Sequence, residues 1–167
     1  MVASGAALAV TVEDIWRALD EVVDPEIPVV SLVEMGIIRD VEVGGEGVVV
    51  TMTPTFSGCP ALLVMADEIK AKVREMGFAQ VQVENQYNPP WTSEWITEAA
   101  RQKLKGIGLA PPPRHNGNFE LVISNAAICP HCESEDTVLR NNFGTTPCRM
   151  IFTCNHCTQP FEQFKPL

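Results

Sequence analysis

From residue 12 onward, apolar positions recur at helical spacing. Val12, Ile15, Trp16, Leu19, Val22 and Val23 would share one helix face. Thr11-Val12-Glu13-Asp14 supplies the start, an N-cap hydroxyl followed by acids in the first turn. The helix must stop by Asp24-Pro25, because a residue before proline is driven out of helical backbone. A short apolar link, Val29 to Met35, closes on Gly36, and the period then changes to two. Ile37 to Val43 alternates as a strand, with Ile37, Arg39, Val41 and Val43 on one face and Ile38, Asp40 and Glu42 on the other. Gly44-Gly45-Glu46-Gly47 reads as a hairpin turn. Val48-Val49-Val50-Thr51-Met52-Thr53 returns as a strand apolar enough to be central.

A second helix follows Pro54-Thr55-Phe56-Ser57-Gly58-Cys59-Pro60. Pro60 suits its first turn, where a missing N–H costs nothing. Leu62, Met65, Ile69, Val73 and Met76 mark its buried stripe, and Gly77 suits the position just past its end. Val81 to Val83 reads as a short third strand, and Asn88-Pro89-Pro90 breaks the pattern. Ser93-Glu94-Trp95-Ile96 opens another helix, with Trp95, Ile96, Ala99, Ala100 and Leu104 on its apolar side and Gly106 after it. Trp91 and Trp95 read as core anchors rather than a binding box.

Gly106 to Gly117, with Pro111-Pro112-Pro113 at its centre, reads as a semi-rigid linker, and His115 within it as solvated. The predicted organisation is a domain over residues 1–105 with its core at 11–105, a linker over 106–118, and an appendage over 119–167. Phe119 to Ile123, Val138-Leu139 and Met150-Ile151-Phe152 are the appendage's expected strands. So short a segment buries little core, so a bound metal must supply much of its folding energy.

The ligands for that metal are legible. Cys129-Pro130-His131-Cys132 and Cys154-Asn155-His156-Cys157 are two Cys-x-x-Cys pairs separated by 21 residues. Each pair can fold over one ion, and two such turns complete a tetrahedral four-thiolate shell. Four thiolates close the shell, which suits a structural zinc; iron or an iron–sulfur cluster would use the same ligands. Two redox dithiols or two disulfides are the competing reading. His131 and His156, inside the pairs, point outward and are not counted as ligands. Cys148 is the odd thiol, read as a packing residue, with a spare sulfur near the site as the alternative. Ribbon turns often carry glycine after the second cysteine. Glu133 and Thr158 stand there instead, which predicts less regular turns.

Two further features carry candidate chemistry. Cys59 falls at a predicted helix N-terminus, whose partial positive charge should stabilise a thiolate and lower its pKa. Ser57-Gly58 lets a ligand approach the backbone there; the competing reading is a buried small hydrophobe. Asp24-Pro25-Glu26-Ile27-Pro28 is a proline-stiffened acidic turn. Its carboxylates either end a helix in solvent or are held beside a metal or a thiol.

Composition narrows the function classes. The chain is 46% hydrophobic and 20% charged, ordinary for a soluble globular protein. Net charge is −9. The acids concentrate in residues 1–98, and the appendage offers only Arg140, Arg149 and Lys165 against five acids. That is too few clustered cations for a nucleic-acid face. No apolar run approaches the ~20 residues that span a bilayer. Met1 to Val10 lacks a basic start and runs into the first helix, so it reads as a frayed tail rather than a signal peptide. Six cysteines, four in paired ligand spacing, suit a reducing cytoplasm. There is no Walker loop, dinucleotide fingerprint or Ser-His-Asp grouping.

Asp24-Pro25-Glu26, the strand hairpin and Thr55-x-x-Gly58-Cys59-Pro60 resemble the iron–sulfur cluster assembly domain, the family of SufT and its eukaryotic cytosolic relatives. That resemblance runs from residue 11 to about 85. Pro90-Trp91-Thr92-Ser93-Glu94-Trp95-Ile96-Thr97, Phe143-Gly144-Thr145-Thr146-Pro147-Cys148 and Cys154-x-x-Cys157-x-x-Pro160-Phe161 narrow it. Together they resemble the PaaD family, accessory proteins of the bacterial phenylacetyl-CoA epoxidase. Such tails often end Phe-Lys-Cys; here Phe164-Lys165 is followed by Pro166, so that additional thiol is absent.

The resemblance implies an α/β (α+β) fold, a small mixed sheet with flanking helices, plus a C-terminal zinc ribbon. It implies a cytoplasmic role in maturing or maintaining the epoxidase's metal or iron–sulfur centres during aerobic phenylacetate degradation, rather than oxidising the substrate. Cys59 would handle a cluster transiently, with Asp24 and Glu26 as carboxylate partners. Cys129, Cys132, Cys154 and Cys157 would hold a structural zinc and present a docking surface. The implied partners are epoxidase subunits or iron–sulfur delivery proteins, with neither nucleic acid nor membrane; a homodimer is compatible with these features. Two other readings compete. In one, Cys59 is the nucleophile of a thiol enzyme or of an integral oxygenase component, although no base is evident near it. In the other, the protein is a non-catalytic interaction module with Cys59 merely packed.

Overall fold

The computed structural model describes residues 10–45, 47–116 and 127–167. Helix α1 (Val12–Leu19) begins as the sequence dictates. The Thr11 hydroxyl accepts the Asp14 N–H at 3.2 Å, and the Asp14 carboxylate accepts the Thr11 N–H at 3.0 Å. This reciprocal cap satisfies two orphan donors. Ile15 and Leu19 are fully buried, whereas Val12 and Val23 stay exposed. The helix ends well before Pro25. Val22 turns inward and Val23–Asp24 becomes strand β1, antiparallel to β2 (Ile27–Ser31). Strand pairing stops the helix before the proline could.

Strands β3 (Ile38–Gly44) and β4 (Gly47–Met52) form the expected hairpin, with β4 in the centre of a three-stranded sheet. The strict alternation expected along β3 does not hold. A register shift between Ile38 and Asp40 puts Ile38 and Val41 in the core and leaves Arg39 and Val43 exposed. A bulge of this kind resets which face follows. Arg39 then lies 3.6 Å over the Trp95 ring. Helix α2 (Leu62–Glu75) crosses over to β5 (Val81–Asn85), which pairs parallel to β4. Its buried stripe is Met65, Ile69 and Val73, and Gly77 leaves it at φ +100°.

The third helical segment is two pieces. Ser93–Trp95 is a single 3₁₀ turn, and extended backbone at Ile96 precedes α3 (Glu98–Gly106), capped by Thr97. Ala100, Arg101 and Leu104 are its buried residues. Gly108, at φ +79°, turns the chain into β6 (Leu109–Ala110). Strand β6 lies inside the expected linker, yet it is buried and forms the edge of the second sheet. That sheet runs β6-β9-β8-β7, with β7 (Thr137–Asn141), β8 (Arg149–Cys154) and β9 (Pro160–Phe164), and β6 is parallel to β9. Arg101 donates to the Pro112 carbonyl. His115 is buried at 7% exposure, not solvated, and its N–H donates to Glu94 at 3.0 Å. The strand expected at Phe119 to Ile123 lies outside the described residues.

The ribbon is fastened to the first domain. Its own small core holds Ala110, Ala127, Met150, Phe152 and Phe161 around the paired cysteines. Phe164 and Leu109 belong instead to the main core. The Phe164 ring sits 5.6 Å from Trp91, whose indole N–H donates to the Met35 carbonyl at 2.9 Å. The Leu167 carbonyl accepts the Ser93 N–H at 2.9 Å and the Thr92 hydroxyl at 2.8 Å. Lys105 pairs with Glu133 beside the first cysteine turn. Among the described residues, no helix is long and apolar enough to cross a membrane.

Candidate metal centre and thiol site

The four paired cysteines converge at the tip of the second sheet. Cys129 and Cys157 sulfurs are 3.7 Å apart, Cys132 and Cys154 sulfurs 3.6 Å, and all four lie within 4.8 Å of one another. A tetrahedral ion with Zn–S bonds of about 2.3 Å needs sulfur–sulfur edges of about 3.8 Å. The donor set therefore fits a four-thiolate ion. The cysteines are free, and their separations are far beyond a ~2.05 Å disulfide bond.

The two turns are built alike. Cys129 N–H donates to the Ser134 carbonyl and Cys154 N–H to the Gln159 carbonyl, each at 3.0 Å. Glu133 and Thr158 take left-handed backbone, φ 62° and 61°, where glycine is usual. The expectation of less regular turns is thus overturned. Closing the turn outweighs the ~1–2 kcal/mol that a side chain costs in this region. The Cys157 N–H, 3.4 Å from the Cys154 sulfur, helps pull that thiol down to about 6.

The second site begins at the β1–β2 turn. The Asp24 carboxylate accepts the Glu26 N–H at 2.8 Å and the Ile27 N–H at 2.9 Å. Asp followed by Pro suits this turn, since the side chain mimics a backbone acceptor while proline presets φ. Asp24 is half-buried, not solvated. Burial pushes its carboxyl up, while those two N–H groups and the Arg149 charge pull it back.

Cys59 precedes α2, whose N-cap is Ala61, so Pro60 stands just outside the helix rather than in its first turn. The thiol is half-buried against the main core. Burial raises its pKa, and the Glu26 and Asp24 charges raise it further; the N–H groups of Ala61 and Leu62 counter only in part. The expected lowering is therefore reversed. The N–H groups at the helix start do act on the sulfur as predicted, but burial and the charges of two carboxylates from a distant turn outweigh them.

This polarity limits the chemistry. Negative charge beside a thiol disfavours the free thiolate that a nucleophile needs. The same charge favours a thiolate bound to a cation, which replaces the proton. Phe56, Leu63 and Val64 flank Cys59 in sequence and are exposed at 48%, 77% and 48%. His115 lies against Glu94, and His131 approaches Gly108, so neither serves Cys59 as a base.

The reading of Cys148 as a packing residue holds, but the core it packs on, and the role of Arg149, are not legible in the chain. Cys148 immediately precedes β8 in the ribbon, yet it packs against the main core, as Cys59 does. Arg149 donates to the Glu26 carbonyl at 3.0 Å and pairs with Glu162 at 3.1 Å. The adjacent Cys148-Arg149 pair was the available signal, but its target is more than 120 residues away in the chain. Among the described residues, the ribbon quartet is the one group of three or more such donors drawn within 4.8 Å.

Residues 12–84 match the family model described as iron-sulfur cluster assembly protein, and residues 115–165 match the PaaD zinc beta ribbon domain. The chain is 40% identical over 154 residues to an Escherichia coli (strain K12) protein, covering 92% of each. That protein's name makes it one of the subunits of a "Putative 1,2-phenylacetyl-CoA epoxidase". The chain is 38% identical over 96 residues to the "Fe-S protein maturation auxiliary factor" of Porphyromonas gingivalis, covering 56% of this chain and 90% of that one. The solved "Domain of Unknown Function DUF59 from Bacillus anthracis" superposes with a TM-score of 0.51 at 28% identity, covering 55% of this chain and 89% of that one.

Proposed function

Because the chain belongs to the PaaD family, an iron–sulfur cluster assembly domain followed by a zinc β ribbon, we propose that it matures or maintains the iron–sulfur or other metal centres of a phenylacetyl-CoA epoxidase complex. The observation that carries this reading is the half-buried Cys59 thiol, on which burial and the charges of Glu26 and Asp24 together disfavour a free thiolate and favour one neutralised by a cation. The cluster or iron is cargo. Cys59 supplies the exchangeable thiolate, and Asp24 and Glu26 supply negative charge toward it. Exposed Phe56, Leu63 and Val64 give a partner an apolar surface close to that cargo. The partners on this reading are epoxidase subunits or iron–sulfur delivery proteins in the cytoplasm.

Cys129, Cys132, Cys154 and Cys157 hold a structural zinc, whose closed shell folds the ribbon and leaves no ligand position for substrate. The reading is tested by complementation. Cys59→Ala should fold and keep its ribbon metal, yet yield an epoxidase complex poor in iron. Normal iron loading with this variant would refute the proposal. Turnover by the isolated protein would favour a thiol enzyme instead.

A further inference from the structure

We propose that Cys148, carried by the ribbon, is the second thiolate of the cargo site, so that a thiophilic cation is held between the two domains by Cys59, Cys148, Asp24 and Glu26. This rests on the cargo reading of Cys59.

Four observations converge on it. First, Cys148 is not needed by the ribbon, whose quartet of sulfurs is complete without it. Second, it leaves its own domain's core and packs on the main core that Cys59 also borders. Third, its position is set from several sides. The next residue, Arg149, bonds the Glu26 carbonyl at 3.0 Å across the interface, and the Lys165 N–H donates to the Cys148 carbonyl at 2.9 Å. The Cys148 sulfur itself lies 3.0 Å from the Thr146 hydroxyl. Fourth, the charges of Asp24 and Glu26 act on both sulfurs.

The chemistry suits the assignment. Thiolates select soft and borderline cations such as Zn²⁺, Cu⁺ and iron in clusters, whereas carboxylates alone suit harder ions. One sulfur with two carboxylates discriminates poorly; two sulfurs discriminate well. Among the described residues only the ribbon quartet has its donors within 4.8 Å of one another, so these four must close up when an ion enters. A looser set, split across two domains, suits an ion that must leave again.

The test uses the full chain with one zinc in the ribbon, titrated anaerobically with Co²⁺ and followed by sulfur-to-cobalt charge-transfer absorption. The expected result is one further cobalt per chain, with ribbon zinc unchanged. Cys148→Ser and Cys59→Ser should each remove roughly half of the charge-transfer intensity, as one of two thiolates is lost. Cys148→His, which keeps a donor, should retain the cobalt with a weaker band. A Cys148→Ser protein that titrates like the wild type, while Cys59→Ser does not, overturns the inference and leaves the cargo reading standing. Absence of a second cobalt, or a Cys59→Ser protein that titrates like the wild type, overturns both.

Discussion

Replacing Phe164 with alanine removes a ring that belongs to β9 by sequence and to the main core by packing. The side chain is 2% exposed and 5.6 Å from Trp91. Truncating a buried phenylalanine costs about 3–5 kcal/mol, transfer and cavity together. The aromatic pair accounts for roughly 0.5–1.5 kcal/mol of that. At roughly 2–4 °C per kcal/mol for a chain of this size, Tm should fall by roughly 6–20 °C. The assay is urea unfolding followed by tryptophan fluorescence, with zinc content measured in parallel. Trp91 reports directly on the missing ring. The ribbon should keep its metal, because the four sulfurs belong to the separate small core. A loss below about 1 kcal/mol, the size of an ordinary substitution, would refute the shared core. So would a loss confined to the ribbon while the first domain unfolds as before.

Further outcomes follow from the same geometry. Asp24→Asn keeps the turn's acceptor but removes a charge beside Cys59, so alkylation of that thiol should shift to lower pH. Cys59 and Cys148 are both raised above the ordinary thiol value of 9.0 in the folded chain. Their contribution to stability is therefore full below that value and lost as pH rises through the folded pKa values; replacing both with alanine should flatten the alkaline decline in urea midpoints. Thr158→Gly relieves a β-branched residue at φ 61° and should stabilise the ribbon by about 1 kcal/mol, measured as a higher unfolding midpoint of the metal-loaded protein. Stripping the ribbon metal removes on the order of 10 kcal/mol of folding energy. Hydrogen exchange should then show protection lost across β7 to β9, and weakened around Trp91.

What could be read from the chain was local. The Thr11–Asp14 cap, the Met65-Ile69-Val73 stripe and the cysteine spacing each depend on residues a few positions apart, or on a repeated motif. The β3 alternation misled because one bulged residue reverses the faces after it. The sign of the Cys59 pKa shift is hidden from the sequence for a different reason. The helix terminus is visible in sequence, but the burial of the sulfur and the charges of Glu26 and Asp24 on it arise only through the fold. Leu109–Ala110 looked like tether because two residues carry no periodicity, and their partner β9 lies about 50 positions later. The placement of Cys148 is the extreme case, since the residue that Arg149 bonds, Glu26 in the β1–β2 turn, lies more than 120 positions away.

The short strand β6 also dictates where this molecule can be cut. A fragment started after the three prolines would carry the cysteine quartet and keep β8 against β9, but leave the other side of β9 without β6. Its bare row of N–H and C=O groups would then be free to recruit another chain. Fragments that begin before Leu109 keep that row covered, so solubility should change abruptly over a few residues of trimming.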